Sequence, residues 1–234
     1  MKILSIDSSA TCASVALYDT DAQKSIGEFF INTRLTHSQT LLPMLDALMS
    51  ATKTEFLDID YFAVNTGPGS FTGIRIGVSA VKGIAMALNK PCVGVSTLES
   101  MAYNCIDCED VIVCACMDAR RNQVYNALFE VKNGAVNRLC DDRAISTDEL
   151  LEELRIINRN VILIGDGAHL IDCSSDSNIC LAYDNRRYQK ASSVCLCAKG
   201  YIENNNILSA STLMPTYLRP SQAERERLEK EEGK

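Results

Sequence analysis

The chain has 234 residues, 47% of them hydrophobic, and is therefore long enough to bury a substantial core as one large domain or two small ones. Its formal net charge of −7 argues against a surface that binds nucleic acid by itself, because phosphate binding requires a cationic footprint. The first charges arrive too early for an apolar targeting segment, and we expect a cytoplasmic protein without a membrane anchor.

A strand at residues 3–6 ends at Asp7, and a second strand at 13–18 returns after a hydroxyl-rich hairpin. This arrangement is similar to the first phosphate loop of the actin-like ATPase and sugar-kinase superfamily. In that loop an Asp holds metal-bound water, while hairpin hydroxyl and N–H groups hold phosphate. An ordinary Asx/Ser hairpin accounts for the same residues equally well, and both interpretations stay open.

A helix is predicted at residues 38–50, after a third strand at 29–32. Thr36 or Ser38 can cap its start, and Pro43 inside the pattern predicts a bend or a late start. The apolar arc of this helix is too wide for contact with a single neighbour. His37 precedes the helix and is interpreted as a structural hydrogen-bonding group, because a lone His is more often structural than catalytic.

The stretch Gly-Pro-Gly-Ser-Phe-Thr-Gly-Ile-Arg-Ile-Gly at 67–77 joins a predicted strand at 61–65 to a predicted helix at 74–88. Such turns commonly hold a phosphate through free N–H groups and the positive helix end. However, the stretch lacks the Gly-Lys-Ser/Thr ending of a P-loop and does not fit Gly-x-Gly-x-x-Gly. We therefore favour a tight strand-to-helix turn. The helix is apolar nearly all round, which predicts that it is covered on more than one side.

The pattern of strand, Asp and hairpin recurs in the second half of the chain and predicts two related halves. The first half ends with a strand at 92–95 and a helix at 98–103. The remaining elements are predicted as a strand at 111–117, a turn at 118–122, strands at 124–131 and 161–164, a turn at 133–134, a helix that starts at Ser146, a Gly-Asp-Gly turn at 165–167, a helix at 191–204 and an extended exit at 214–220. The charged tail at 221–234 lacks an apolar stripe and is interpreted as a solvated or frayed helix.

Eleven cysteines without an export signal predict reduced thiols rather than disulfides. Cys105-x-x-Cys108 followed by Cys114-x-Cys116 raises the hypothesis of a zinc site. The second pair lies in an apolar, strand-like run, where alternation suits a core as well as a metal. We favour buried or unused thiols over zinc.

Several catalytic signatures are missing from the sequence. His37 and His169 lie far apart, the chain has no His-Glu-x-x-His or His-x-x-x-His spacing, and no Gly-x-Ser-x-Gly nucleophile elbow occurs. A metallopeptidase or a His-based metal transferase therefore cannot be assembled from this chain alone. The carboxylates at strand ends, Asp7, Asp118 and Asp166, would be the candidates in an ATPase.

These motifs resemble those of the TsaB family, the dimerisation subunits of the bacterial complex that makes threonylcarbamoyladenosine (t6A) in tRNA next to the anticodon. The matching residues are 7–9, 37–43, 67–77, 117–121 with 124–125, and 215–219. They run through the chain from end to end, and the eleven-residue glycine-rich stretch is the most specific of them. The cysteine clusters are not part of the family pattern.

The resemblance implies an α/β, actin-like ATPase fold of two lobes, each with a central mixed β-sheet flanked by helices. The lobes are predicted at 1–103 and 104–214, followed by a helical C-terminal extension at 215–234. The resemblance implies no catalytic residue, no metal and no cofactor required by this chain alone, and it leaves open whether ATP or ADP binds at the interface of the complex. A degenerate nucleotide site is predicted at Asp7, Ser8, Ser9, Gly67, Gly69, Ser70, Asp118, Gly165 and Gly167.

The resemblance also implies partners. The related subunit TsaD would transfer the threonylcarbamoyl group in tRNAs that read codons beginning with A, and the small ATPase TsaE would bind where the two subunits meet. tRNA would be contacted only through the complex. In this family the helices at 38–50 and 74–88 form a bundle with TsaD, and a homodimer through the same helices is expected when TsaD is absent. The predicted interface comprises His37, Leu41, Leu42, Leu45, Leu48, Met49, Gly73, Ile74, Arg75, Gly77, Val78 and Val81.

Two other functions remain as alternatives to this one. A stand-alone ATPase or sugar kinase would use Asp7, Ser9 and Asp118. A peptidase is the least favoured function, because the metal ligands it would need are missing from the sequence.

Overall fold

A computed structural model describes residues 1–33 and 35–219; the predicted tail at 221–234 lies outside the described residues. The strands are β1 (Lys2–Asp7), β2 (Ala13–Asp19), β3 (Lys24–Ile31), β4 (Tyr61–Gly67), β5 (Cys92–Ser96), β6 (Val111–Arg120), β7 (Gln123–Lys132), β8 (Ala135–Arg138), β9 (Arg143–Ser146), β10 (Val161–Ile164) and β11 (Ile179–Leu181). The α-helices are α1 (His37–Thr52), α2 (Phe71–Leu88), α3 (Thr97–Ala102), α4 (Thr147–Ile157), α5 (Asp184–Arg187) and α6 (Ala191–Glu203). The predicted class, two mixed sheets flanked by helices, is confirmed.

The first sheet has the strand order β3-β2-β1-β4-β5, with β1, β2 and β3 antiparallel and β1, β4 and β5 parallel. Both faces of β1 are buried. Leu4 and Ile6 share a core with residues of α1 and α2, whereas Ile3 shares a core with residues of α6. This alternation follows from the two-residue period of a strand, which sends successive side chains to opposite faces of the sheet.

The two long helices on this sheet begin earlier than predicted. Helix α1 starts at His37 in spite of Pro43, and the side chain of Thr36 makes no capping hydrogen bond. Helix α2 starts at Phe71, because the side chain of Ser70 accepts a hydrogen bond from the Gly73 amide and so caps the first turn. By length and composition α2 could cross a membrane, but its buried face packs on the first sheet, as in the core helix of a folded domain.

The second sheet has the order β11-β10-β6-β7-β8, and β9 pairs with β7. The predicted turn at 118–122 is too long. Strand β6 continues to Arg120, because Asp118 pairs with Val124 in the antiparallel ladder. The reversal is made by Arg120, Arg121 and Asn122, which all have positive φ. Strands β8, β9 and β11 and helix α5 were not predicted.

Helix α6 returns to the first sheet after the chain has built the second. Its residues Val194 and Ala198 pack with Val93 on the face opposite α1 and α2. The predicted boundaries assign residues 191–214 to the second lobe, yet this segment covers the first sheet, whose apolar strands need cover on both faces. Conversely, Leu98 and Met101 of α3 lie in the core of the second sheet.

Candidate functional site

A cleft of about 800 Å³ separates the two sheets, at the carboxyl ends of β1, β4, β6 and β10. Four predicted nucleotide-site residues line it, namely Ser9, Gly69, Ser70 and Asp118. The other five, Asp7, Ser8, Gly67, Gly165 and Gly167, are not among its lining residues. The sheet topology thus brings the predicted residues to one region, but only part of the set faces the open space.

The hairpin after β1 packs directly against the glycine-rich turn before α2. The Ser70 amide donates a hydrogen bond to the Ser9 carbonyl (2.7 Å), and the Ser8 hydroxyl donates to the Gly73 carbonyl (2.8 Å). A Cβ atom at Gly69 or Gly73 would overlap the carbonyl oxygen of Ser9 or Ser8, respectively. These glycines therefore permit two segments of the same chain to approach closely, which favours the tight-turn interpretation over a phosphate cradle.

The glycines after β10 have a similar role. Gly165 has φ +100°, and a Cβ atom there would overlap the carbonyl oxygen of Cys116. A Cβ atom at Gly167 would lie 2.6 Å from the carbonyl carbon of Met117. Strand β6 therefore occupies the space that a Cβ atom would need at either residue. The packing of these two chain segments is enough to explain why glycine is needed.

Asp7 lies at the end of β1 and is fully buried. Its Oδ1 accepts hydrogen bonds from the Ser9 amide (3.1 Å) and the Asn65 side chain (3.0 Å), while its Oδ2 has no partner among the described residues. Burial raises the pKa of this carboxyl above its ordinary value, and the hydrogen bonds from Ser9 and Asn65 offset this only in part. The Asp7 side chain is therefore enclosed beneath the hairpin and does not line the cleft.

The acidic groups of the second sheet are closer to the open cleft. Asp118 forms an ion pair with Arg120 on its own hairpin (3.1 Å). Asp166 accepts a long hydrogen bond from Gln189 (3.4 Å). Burial raises the pKa of Asp166, and the nearby negative charge of Asp118 adds to this effect.

The segment at 214–219 crosses the cleft from one sheet to the other. The Thr216 amide donates to the Thr66 carbonyl (2.8 Å), and the Tyr217 ring stacks on Phe71 with 4.7 Å between centroids. Arg75 lies over the Phe71 ring and donates to the Tyr217 hydroxyl (2.8 Å). Arg219 then donates to Gln123 at the start of β7. The motif at 215–219 is recognisable in the sequence, but the contacts of Tyr217 and Arg219 were not predicted.

The burial of the predicted interface residues corrects the prediction. Most of them pack inside the chain, so that they cannot be reached by a partner without unfolding: Leu41, Leu45, Leu48, Met49, Gly73, Ile74, Gly77, Val78 and Val81. The reason is that the apolar stripe of each helix faces its own sheet. Leu42 and Arg75 are exposed, and His37 is half-buried with its Nε2 2.6 Å from the Ala10 carbonyl oxygen.

The accessible part of the two helices is a different surface, which we call the outer face. We define it by eight exposed residues of α1 and α2, namely Leu42, Pro43, Ala47, Ala51, Ser79, Gly83, Met86 and Ala87; exposed polar side chains, among them Asp46 and Arg75, lie on the same two helices. Leu42 is 57% exposed and Met86 is 62% exposed. Small side chains make up most of the remainder, which allows the backbone of another helix to approach closely.

The zinc hypothesis for the cysteines is not supported by their positions. Cys105 and Cys108 belong to the core on one side of the second sheet, whereas Cys114 and Cys116 belong to the core on the other side. The two pairs therefore cannot meet at one ion. Among the described residues, no group of three or more His, Cys, Asp or Glu side chains is arranged to hold a metal.

Comparison with known proteins identifies relatives along most of the chain. A family model described as "TsaD: tRNA N6-adenosine threonylcarbamoyltransferase" matches residues 31–225. The tRNA threonylcarbamoyladenosine biosynthesis protein TsaB of Bacillus subtilis (strain 168) is 34% identical over 73% of this chain and 73% of its own length. The protein of the same name from Escherichia coli (strain K12) is 31% identical over 71% of this chain and 72% of its own.

The solved structures agree at the level of the fold. A Pseudomonas aeruginosa protein described as uncharacterized, with similarity to peptidase YEAZ, superposes with a TM-score of 0.80 at 23% identity. The match covers 93% of this chain and 99% of that one. The arrangement of the two sheets is therefore common to both proteins.

Proposed function

Because this chain belongs to the TsaB family, and through the TsaD family model to the wider group of TsaD-like proteins, we propose that it is a non-catalytic subunit in the synthesis of t6A in tRNA. Its role is to bind the transferase TsaD and to support it while the threonylcarbamoyl group is attached to the adenosine. The observation that carries the proposal is the outer face, a surface rich in small and apolar residues on two adjacent helices that nothing in the described chain covers.

The chemistry of the outer face suits a helical partner. Leu42 and Met86 offer flexible apolar contacts, and alanine and glycine between them permit close helix packing. Exposed apolar patches of this kind on a folded protein commonly mark an interaction site. TsaD is the partner expected from the family match, since related folds can pair through equivalent helices in a pseudo-symmetric dimer.

The closed glycine-rich turn supports a role without nucleotide chemistry. A phosphate held at this turn would need its backbone N–H groups, yet the Ser70 amide already donates to Ser9. The buried carboxyl of Asp7 is held beneath the same hairpin and has a raised pKa. These contacts indicate that the hairpin and the glycine-rich turn have a structural role in this chain, whereas the corresponding segments hold phosphate in actin-like ATPases.

Co-purification with TsaD tests the proposal. Met86→Asp and Ala47→Asp place a charge on the outer face, and since both side chains are exposed the fold should be unaffected. We expect each variant to lose at least tenfold in TsaD capture. Ile156→Asp is the matched control, because Ile156 is 84% exposed but lies on α4 of the second lobe. Circular dichroism of all three variants should match the parent protein.

Normal TsaD capture by both outer-face variants would contradict the assignment of the surface. In cells depleted of this protein, t6A should fall and should be restored by the parent chain and by Ile156→Asp, but not by Met86→Asp. ATP turnover by the isolated chain that disappears in Asp7→Ala would favour the stand-alone ATPase instead. Light scattering of the isolated protein tests whether the outer face forms a homodimer, while TsaE binding stays a prediction for the assembled complex.

A further inference from the structure

The turn that contains Cys105 and Cys108 brings two thiols together outside the cleft and the outer face. The Cys108 amide donates a hydrogen bond to the Cys105 carbonyl (2.9 Å), which closes a four-residue turn. Turns of this kind hold their first and last Cα atoms less than about 7 Å apart. A disulfide needs a Cα separation of roughly 4.4–6.8 Å, so the Cα separation in this turn is compatible with a bond between these two residues.

The two thiols differ in their surroundings. Cys105 is fully buried, and burial raises the pKa of its thiol to about 12. Cys108 is half-buried, and the Arg186 guanidinium donates a hydrogen bond to its sulfur (3.3 Å). Arg186 is held in place by an ion pair with Asp107 (2.7 Å) and by a hydrogen bond from Asn104 to its carbonyl oxygen (2.8 Å). One accessible sulfur beside a fixed cation and one enclosed sulfur are the arrangement of an attacking and a resolving thiol.

The Cys114 and Cys116 pair provides a contrast within the same protein. Their sulfurs lie only 3.5 Å apart, but both side chains are fully buried on one strand. The Asn126 side chain is within hydrogen-bonding distance of both sulfurs. An external reagent cannot reach either sulfur in the folded protein. Proximity of two sulfurs is therefore not enough for reaction with an external disulfide. Access of a reagent to one sulfur distinguishes the Cys105 and Cys108 pair from the Cys114 and Cys116 pair.

We propose that Cys105 and Cys108 form a reversible redox site that exchanges with low-molecular-weight disulfides such as oxidised glutathione. The Cys108 thiolate attacks one sulfur of the disulfide and forms a mixed disulfide, and the expelled glutathione thiolate takes up a proton from solvent. Cys105 then attacks the Cys108 sulfur and forms the Cys105–Cys108 bond, while its proton passes to the departing glutathione thiolate, which leaves as the second thiol. Two electrons pass from the protein dithiol to the glutathione disulfide, and excess glutathione reverses both steps.

The test equilibrates the full chain in a series of glutathione buffers, stops exchange with acid, unfolds the chain in denaturant, and then traps all free thiols with an alkylating reagent and locates them by mass spectrometry. We expect free thiol at both Cys105 and Cys108 to fall at least fivefold together at the oxidised end, and to return with dithiothreitol. Cys114 and Cys116 should stay free in the same samples. Cys105→Ser should stop the reaction at a mixed disulfide on Cys108, and Cys108→Ser should leave Cys105 unmodified.

Arg186→Met provides a separate test of the attacking sulfur. The variant keeps an unbranched apolar side chain and removes the donor, so we expect disulfide formation to slow about threefold to tenfold. Retention of both free thiols throughout the series would overturn the proposal, as would a mixed disulfide on Cys108 while Cys105 remains free in the parent protein. Equal oxidation of Cys114 and Cys116 would also overturn it, because access would then come from general unfolding. None of these results depends on TsaD binding.

Discussion

Replacing Gly73 by Ala is expected to destabilise the isolated chain, although the same replacement at Gly83 on the same helix is expected to stabilise it. In an ordinary helix position, Gly→Ala stabilises by about 0.5–1 kcal/mol, because Ala loses less backbone freedom on folding. Gly83 is such a position, since a Cβ atom there meets nothing within 4 Å. At Gly73 a Cβ atom would overlap the carbonyl oxygen of Ser8.

The magnitude follows from the contacts that must separate. To admit the methyl group at Gly73, the hairpin has to withdraw from the turn. This breaks the Ser70–Ser9 and Ser8–Gly73 hydrogen bonds, each worth about 1 kcal/mol net. It also leaves the buried Ser8 hydroxyl without its partner, at a further cost of about 1–3 kcal/mol. After the intrinsic gain from Ala is subtracted, we expect a net loss of about 2–4 kcal/mol.

Thermal unfolding followed by circular dichroism measures the difference directly. For a chain of this size each kcal/mol shifts Tm by about 2–4 °C. Gly73→Ala should therefore lower Tm by about 5–15 °C, and Gly83→Ala should raise it by about 1–4 °C. If Gly73→Ala unfolds at the same temperature as Gly83→Ala, or higher, the close contact between hairpin and turn is not the feature that requires glycine.

Two further changes test charged groups in the described part of the chain, one buried and one partly exposed. The pKa of Asp7 is raised in the folded state, so its contribution to stability is greatest below the unfolded pKa and is lost as pH rises through the folded pKa. Asn stays neutral at every pH. Asp7→Asn should therefore raise Tm at pH 7 and raise it less at pH 4. Asp141→Asn, at an exposed carboxylate, is the control and should give no such gain. An equal gain at both pH values for Asp7→Asn would contradict the burial argument. Arg138→Ala should lower the free energy of unfolding in urea by about 0.5–2 kcal/mol, because it leaves the carboxylates of Glu99 and Asp142 without their shared, partly exposed cation, and Arg138→Lys should recover part of the loss.

Hydrophobic period and glycine placement were sufficient to predict the long elements. Strand β10 occupies the predicted residues 161–164, and the capping box of Ser146 and Glu149 starts α4 where the sequence indicates a helix. The short strands β8, β9 and β11 have three or four residues and no clear alternation, so only their pairing in the sheet defines them. The segment at 191–203 is recognisably a helix, but its return to the first sheet depends on contacts distant in sequence.

The side of each helix that faces a partner could not be predicted in the same way. A periodic pattern shows which residues share a face, but it does not say whether that face meets the chain's own sheet or another protein. In α2 the widest apolar stripe meets the sheet, and a second flank is covered by the C-terminal segment, to which Lys82 donates a hydrogen bond at the Leu213 carbonyl (3.0 Å).

From Ser79 onward, what remains exposed on α2 is the less hydrophobic strip of Ser79, Gly83, Met86 and Ala87. Small residues are weak signals in a hydrophobicity pattern, although close packing between helices favours them. A charge introduced at Ile74 would therefore disrupt the core and abolish binding without identifying an interface, whereas a charge at Met86 changes the accessible surface alone. The difference between these two variants, measured as TsaD capture by protein that is still folded, separates loss of structure from loss of a docking surface.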